Sequence, residues 1–307
     1  MVERRAEVPT AGRCAFIALI GAPNVGKSTL INRMVGSKVA IVSHKVQTTR
    51  TLLRGIVTQG DAQLVFIDTP GIFAPRRRLD RAMVTGAWTG ANDADQIAIL
   101  IDAKRGLDEE SAAIIERAGS LERPKLLIVN KIDLVEKPTL LALVKPVAER
   151  VPFAATFLVS ALSGDGVGDL TRWLAEHAPA GPWHYPPDQI SDAPLRQFAA
   201  EITREKLYVR LHQELPYQST VETTSWKDLK DGSVRIEQTI YVERESQRKI
   251  VLGKAGQTIK AIGADARREI AQTIEQPVHL FLFVKVREAW GDDPERYREI
   301  GLEFPNE

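Results

Sequence analysis

From Cys14 to about Leu174, short apolar runs alternate with longer segments of helical character. The runs are Ala15–Ile20, Leu64–Ile67, Ile97–Ile101, Leu126–Val129 and Thr156–Val159. Continuous apolar runs closed by Gly, Asp or Asn suit strands buried on both faces. Between them, Lys27–Val35, Asp108–Ser120, Thr139–Arg150 and Gly168–His177 read as helices. Strands alternating with helices predict an α/β, doubly wound parallel sheet, with functional residues at the carboxyl ends of its strands.

The pattern changes at Ala178–Pro194, where five prolines fall within 17 residues. That density suits neither helix nor central strand, and predicts a semi-rigid linker over 179–191. Beyond it a helix (about Asp192–Leu211) precedes two alternating segments, Ser219–Leu229 and Ser233–Arg244, joined at Lys230-Asp231-Gly232. A helical pair broken at Gly253–Gly256 and a strand, Val278–Arg287, complete an α-β-β-α-α-β order. The expected divisions are a polar extension (1–13), a first domain (14–178), the linker, and an α+β domain (192–303).

Composition adds exclusions. With 41 Lys+Arg against 40 Asp+Glu, the whole chain carries no basic field. A single cysteine, Cys14, excludes an internal disulfide framework and points to a reducing compartment. The five histidines are scattered without metal-site spacing. No apolar run approaches the ~20 residues of a membrane span, and the polar Met1–Gly12 segment lacks a secretory signal.

The first strand runs into Gly21-Ala22-Pro23-Asn24-Val25-Gly26-Lys27-Ser28-Thr29, a GxxxxGK[ST] loop. Its glycines let backbone N–H groups turn toward phosphate oxygens, and the helix that follows adds its dipole. Lys27 supplies charge for the β- and γ-phosphates, and Ser28 a hydroxyl for Mg²⁺. Leu64–Ile67 ends in Asp68-Thr69-Pro70-Gly71, where Asp68 can hold the Mg²⁺ shell and Gly71 can offer its N–H to the γ-phosphate. Leu126–Val129 ends in Asn130-Lys131-Ile132-Asp133. The Asp133 carboxylate can accept the N1–H and N2–H₂ donors of guanine, whereas adenine would leave it unpaired. Lys131 would lay its aliphatic stem along the loop or base. Ser160-Ala161, after the last strand, can give a backbone N–H to guanine O6.

These four elements, in order and each at a strand end, resemble the Ras-like GTPases of the translation-factor class. The resemblance implies a first switch at Ser43–Arg50, with Thr49, or Thr48 beside it, closing on Mg²⁺. The catalytic candidates are thus Lys27, Thr49, Gly71 and Asn24, and the metal candidates Ser28, Thr49 and Asp68. A second switch would run through Ile72–Leu79, with Arg76, Arg77 and Arg78 read foremost as a solvated loop. Ras-like enzymes place a water-orienting Gln where this chain has Ile72, which implies slow intrinsic hydrolysis. For Asn24 two readings stay open: K⁺ binding of the kind found in related GTPases, or simple support of the loop.

In the second domain, Gly253-Lys254-Ala255-Gly256 places GxxG between two helices, which in that element order resembles a type II KH domain. Residues 244–268 carry seven basic side chains against Glu245 and Asp265, a local net of +5 within an otherwise acidic domain. The candidates for unpaired RNA are Arg248, Lys249, Gly253, Lys254, Ala255, Gly256 and Lys260; no DNA partner is expected. The aromatic residues Trp173, Trp183, Tyr185, Trp226 and Trp290 read as packing groups, and His279 as a core or sheet-face residue.

A P-loop GTPase domain followed by a Pro-rich segment and a type II KH domain resembles the Era family of bacterial ribosome-assembly GTPases, over about Ala15–Leu302. The resemblance rests on GAPNVGKST, QTTR, DTPG, NKID, VSAL and IVLGKAGQTIKAIG. It implies GTP and GDP as ligands with Mg²⁺, the 3′ end of 16S rRNA on the 30S subunit as partner, and a cytoplasmic location with peripheral inner-membrane association. Two rival functions remain at this point: an RNA chaperone without turnover, and a GTPase serving tRNA or another ribosomal step.

Overall fold

The computed structural model describes residues 12–43, 45, 48–50, 52–75, 77–211, 215–288, 294, 297 and 302–305. Residues 1–11 of the expected extension, together with His44, Val46, Gln47, Arg76 and Trp290, lie outside these. The described residues fall into two units. The described residues within 12–40, 49–192 and 302–305 form the first, and those within 41–48 and 193–297 the second.

The first unit holds a six-stranded sheet: β1 (Arg13–Ile20), β2 (Leu53–Gln59), β3 (Ala62–Asp68), β4 (Gln96–Asp102), β5 (Lys125–Asn130) and β6 (Ala155–Val159). Its spatial order is β2-β3-β1-β4-β5-β6. With them run α1 (Lys27–Val35), α2 (Arg78–Asp93), α3 (Glu109–Gly119), α4 (Lys137–Ala148) and α5 (Val167–Glu176). Every residue of β3, β4 and β5 is buried, which is why those strands read as unbroken apolar runs. β1 lies between β3 and β4, so strand order reverses beside it, and the loop after β1 opens at that switch point.

Two elements depart from the expectation. β2 is antiparallel to β3, so the sheet is mixed rather than wholly parallel. β2 has β3 as its one strand neighbour in the sheet, and Arg54, Thr58 and Gln59 interrupt the apolar run that would have announced it. The helix α2 buries Ala82, Met83, Ala87, Trp88, Gly90 and Ala91, a mostly small inward face with little hydrophobic signal.

The proline-rich segment is not a free spacer. Cys14 N–H donates to the Pro179 carbonyl (3.0 Å), and Ile56 N–H to that of Ile190 (2.9 Å). Gln63 Oε1 accepts from the backbone of His184 and Tyr185 (2.9 and 3.0 Å), while its amide donates to the Tyr185 carbonyl (2.8 Å). Arg54 pairs with Asp192 at 2.8 Å. Prolines lack N–H groups but keep their carbonyls, so the segment accepts bonds along the sheet and belongs to the first unit through Asp192. Arg13, expected in the extension, begins β1 and donates to the carbonyls of Glu176 and Ala178 (both 3.0 Å). Leu302 is buried in the first unit, although it was expected within the second domain.

The second unit contains α6 (Leu195–Arg210), β7 (Ser219–Asp228), β8 (Val234–Val242), α7 (Glu245–Leu252), α8 (Gln257–Ile274) and β9 (Val278–Val286). β8 is central, antiparallel to β7 and parallel to β9. Leu207 of α6, Ile240 of β8, Val251 of α7 and Ile262 of α8 share a core, as do Phe198, Ile202, Ile236, Ala266 and Ile270. Each of these Leu, Ile, Val and Phe side chains contributes roughly 1.5–3 kcal/mol on burial. Along β9, Leu280, Leu282 and Val284 pack against these clusters, whereas His279, Phe281, Phe283 and Lys285 are exposed.

Candidate nucleotide site and nucleic-acid interface

The loop after β1 leads into α1 through Gly26, whose φ of 101° is open to glycine and closed to most other residues. A Cβ there would also lie 2.2 Å from Asn130 Nδ2, so the position tolerates no side chain. No side chain caps α1, which leaves its first N–H groups to an anion. Lys27 is buried, its Nζ donating to the carbonyls of Gly21 (3.0 Å) and Ala22 (3.1 Å). Desolvation pulls its pKa down to about 8, against the attraction of Asp68. Asn24 is exposed in the left-handed region (φ 64°), a conformation Asn adopts more readily than most residues. Val25 is buried and Thr29 half-buried in the first turn of α1.

Ser28, Thr49 and Asp68 converge. Ser28 Oγ donates to Asp68 Oδ2 at 2.8 Å, and Thr49 Oγ1 donates to the same oxygen at 3.2 Å, with the two hydroxyls 3.0 Å apart. Asp68 is fully buried, which raises its carboxyl pKa, and its Oδ1 makes no hydrogen bond. An orphaned carboxylate oxygen beside two hydroxyls is a hard-oxygen donor set that fits Mg²⁺. Thr48, the alternative to Thr49, instead donates its hydroxyl to the Lys45 carbonyl at 2.8 Å.

Asn130 ties two loops together: its Nδ2 donates to the Val25 carbonyl (2.8 Å) and its Oδ1 accepts from Ala161 N–H (2.9 Å). The N–H expected for guanine O6 is therefore engaged within the site. Ser160 is fully buried, its N–H donating to the Asp165 carbonyl (2.9 Å). Lys131 Nζ donates to the Asn24 carbonyl and to Asp102 Oδ2, both at 2.6 Å. Asp133 lies exposed on a short 3-10 turn, Ile132–Leu134. Two participants escaped the sequence reading. Asp102 ends β4 without any motif around it, and Arg33 of α1 donates through Nε to the Ala161 carbonyl at 3.1 Å. The end of a buried strand was the available signal for the first; the second had none.

Gly71 lies against Pro23: a Cβ on it would come within 2.8 Å of the proline Cα. Ile72 is buried, and its N–H donates to the Gly21 carbonyl at 3.1 Å, so it braces the phosphate loop. Arg77 caps α2, its N–H donating to Asp80 Oδ2 at 3.0 Å, and Arg78 lies over the Phe304 ring at 5.0 Å.

In the second unit, GxxG separates α7 from α8. Gly253 has φ 72°, and a Cβ on it would meet Thr258 Oγ1 at 2.1 Å and Thr258 N at 2.9 Å. Gly256, also left-handed, has nothing within 4 Å of its Cβ direction. Ala255 is left-handed too (φ 51°). Lys249, Lys254, Ala255 and Lys260 are exposed, while Arg248 is half-buried and paired with Glu245 at 2.8 Å. Ile250, 55% exposed on α7 next to this basic run, offers an apolar contact that charge counting overlooked.

Comparison with known proteins now bears on these sites. A family model described as a 50S ribosome-binding GTPase matches residues 16–131, and one described as a KH domain matches residues 214–291. The GTPase Era of Bradyrhizobium sp. (strain ORS 278) is 68% identical over 297 residues, covering 97% of each chain. That of Bradyrhizobium diazoefficiens is 66% identical over 306 residues, covering 100% of this chain and 99% of the relative. A crystal structure of Era in complex with MgGDPNP and nucleotides 1506–1542 of 16S ribosomal RNA matches with a TM-score of 0.90 and 35% identity. It covers 94% of this chain and 99% of its own. Aquifex aeolicus Era bound to GDP·AlF₄⁻ matches with a TM-score of 0.89 at the same identity. With both family models in chain order and such identity over nearly its whole length, the chain belongs to the Era family of GTPases.

Proposed function

We propose that this GTPase is a switch that binds the 3′ end of 16S rRNA in its GTP state, acts in assembly of the 30S subunit in the cytoplasm, and releases the RNA after hydrolysis. The observation that carries the nucleotide half is the meeting of Ser28, Thr49 and Asp68 around one buried carboxylate oxygen. The RNA half rests on the exposed, basic GxxG loop and on the Era complex with 16S rRNA nucleotides.

In this reading the chain's residues take separate tasks. The N–H groups at the start of α1 cradle the β-phosphate, and Lys27 moves its amine from the Gly21 and Ala22 carbonyls to phosphate oxygens. Mg²⁺, held through Ser28, Thr49 and Asp68, would neutralise charge on the β- and γ-phosphates. Gly71 offers its N–H to the γ-phosphate. Asp133 reads the guanine N1–H and N2–H₂ edge, while Asn130, Lys131, Ser160 and Ala161 hold the base loops. Buried Ile72 cannot orient water, so intrinsic hydrolysis is slow. K⁺ held at Asn24 would supply the missing positive charge; equal turnover in K⁺ and Na⁺ buffers removes that part of the proposal.

Phosphate brackets backbone at Gly253–Gly256, with Lys254, Lys249, Arg248 and Lys260 supplying charge to an unpaired strand of about four nucleotides. No helix among the described residues is long and apolar enough to cross a membrane; peripheral membrane association rests on the family resemblance alone. The test measures affinity for the 16S 3′-terminal RNA in GTP-analogue and GDP states. Tighter binding with the analogue, weakened by Lys254→Asp, supports the switch, and equal affinities overturn it.

A further inference from the structure

Helix α6 buries three consecutive polar residues, Thr203, Arg204 and Glu205. Burying charged groups is costly unless they are paired, and even a well-paired group seldom adds net stability. Thr203 bonds within the core, to Gln238 Oε1 at 2.6 Å. The other two reach the segment before Thr49, which groups with α6 in the second unit.

Glu205 Oε1 accepts the Val42 N–H at 2.9 Å. Arg204 Nη2 donates to the Thr48 carbonyl, while its Nε holds Glu201 at 2.9 Å. Lys45 Nζ donates to the Leu211 carbonyl just beyond α6. Two bonds thus hold the backbone at Val42 and Thr48 and a third holds the Lys45 side chain between them, and the next residue, Thr49, is bonded to Ser28 and Asp68. Arg204 Nη1 is buried and makes no hydrogen bond, a deficit that stability alone would not favour. From Glu205 the network continues through Lys206 (2.7 Å) to Glu269 of α8, the helix that Gly256 precedes.

We propose that Arg204, Glu205 and Lys45 are positioning residues that set where Thr49 sits, so that occupation of the metal site by Thr49 and the state of helices α6 and α8 are one equilibrium. The clamp and the Thr49–Asp68 bond coexist in this structure, so the two arrangements are compatible. A nucleotide that recruits Thr49 then favours the clamped segment, and a ligand that favours the clamped α6 raises affinity for that nucleotide by the same factor. GDP, lacking the γ-phosphate that recruits Thr49, is indifferent to the clamp. This inference rests on the switch reading of Thr49 given above.

The experiment uses the full chain with Glu205→Ala, Lys45→Ala and the conservative Glu205→Gln, whose side-chain oxygen can still accept from Val42. Affinities for a non-hydrolysable GTP analogue and for GDP are measured with Mg²⁺, without and with the 16S 3′-terminal RNA. Both alanine variants should lose about tenfold in analogue affinity with GDP affinity unchanged, as loss of a partly buried charge-assisted hydrogen bond predicts. Glu205→Gln should stay within about threefold of the parent. The RNA-induced rise in analogue affinity should vanish in the alanine variants. Unchanged analogue affinity in both alanine variants, or an equal loss for GDP, overturns the positioning role. Lys45→Ala alters only a half-exposed side chain, so a misfolded Glu205→Ala does not remove the test. If RNA fails to raise analogue affinity even in the parent protein while the alanine variants still lose it, the RNA switch is wrong and the positioning role stands.

Discussion

The molecule has two glycine-punctuated loops whose proposed ligand is phosphate, and they are built on opposite principles. Around Gly26 the surroundings decide everything: its Cβ direction is filled by Asn130, Lys27 is buried on two carbonyls, and Asp68 keeps an unpaired oxygen. Around Gly256 the Cβ direction is open and Lys254 is exposed. Gly253, against Thr258, anchors that loop internally, and the Gly256 N–H closes it onto the Gly253 carbonyl at 3.2 Å. A buried loop places charges at fixed points in a low dielectric, where each is worth most. An exposed loop holds a backbone through weaker, screened contacts and can let go of it.

If that contrast is right, the largest effect belongs to Gly26→Ala. The clash with Asn130 and the left-handed φ should lower nucleotide affinity about a thousandfold or more, roughly 4 kcal/mol, measured by calorimetry. Retention of affinity within tenfold would show the loop to be far softer than the geometry says.

Lys27→Met should follow, with about a hundredfold loss for GTP analogue. Its pH signature sharpens the point. Burial has lowered the pKa of Lys27 to about 8, and phosphate raises it again, so binding takes up a proton once the pH exceeds 8. Affinity through this group is therefore full below pH 8 and falls, by at most tenfold per unit, as pH rises further. For folding the sign is opposite in origin: the depressed Lys27 pKa penalises the nucleotide-free fold at neutral pH, and that penalty is relieved between about 8 and 10.5. A parent affinity as flat as that of Lys27→Met between pH 7 and 9 would contradict the buried-lysine picture.

In the exposed loop the effects shrink. Gly253→Ala should cost about tenfold in RNA affinity, because Thr258 must move, with nucleotide affinity unchanged. Gly256→Ala meets no atom and carries only the left-handed strain of roughly 1–2 kcal/mol, so thermal unfolding should show a small drop. The smallest expected change is Lys254→Ala: several-fold weaker RNA binding and a salt slope reduced by about 0.7, read from titrations at two or more salt concentrations.

The legibility of these features differed for physical reasons. Strands buried on both faces, such as Ile97–Ile101, announce themselves because every side chain must be apolar. Motif residues at strand ends were readable because their chemistry is local: Lys27 and Ser28 follow a glycine, and Asp133 follows Asn130 by three. The edge strand β2 and helix α2 were not, since one interrupts its apolar run and the other packs through small residues. On β9, outward-facing Phe281 and Phe283 leave no alternation in the sequence to show which face is buried.

By itself, then, the sequence determined the two folds, the order of the nucleotide motifs and the basic surroundings of GxxG, because each depends on residues close together in the chain. Tertiary structure alone decided which threonine meets Asp68, that the prolines lie along the first sheet, that Asp102 and Arg33 brace the base loops, and that Arg204 and Glu205 grip the chain before Thr49. Those contacts join residues far apart in the chain, Val42 to Glu205 across 163 positions for one, and a pairing at that distance leaves no periodicity or spacing to read.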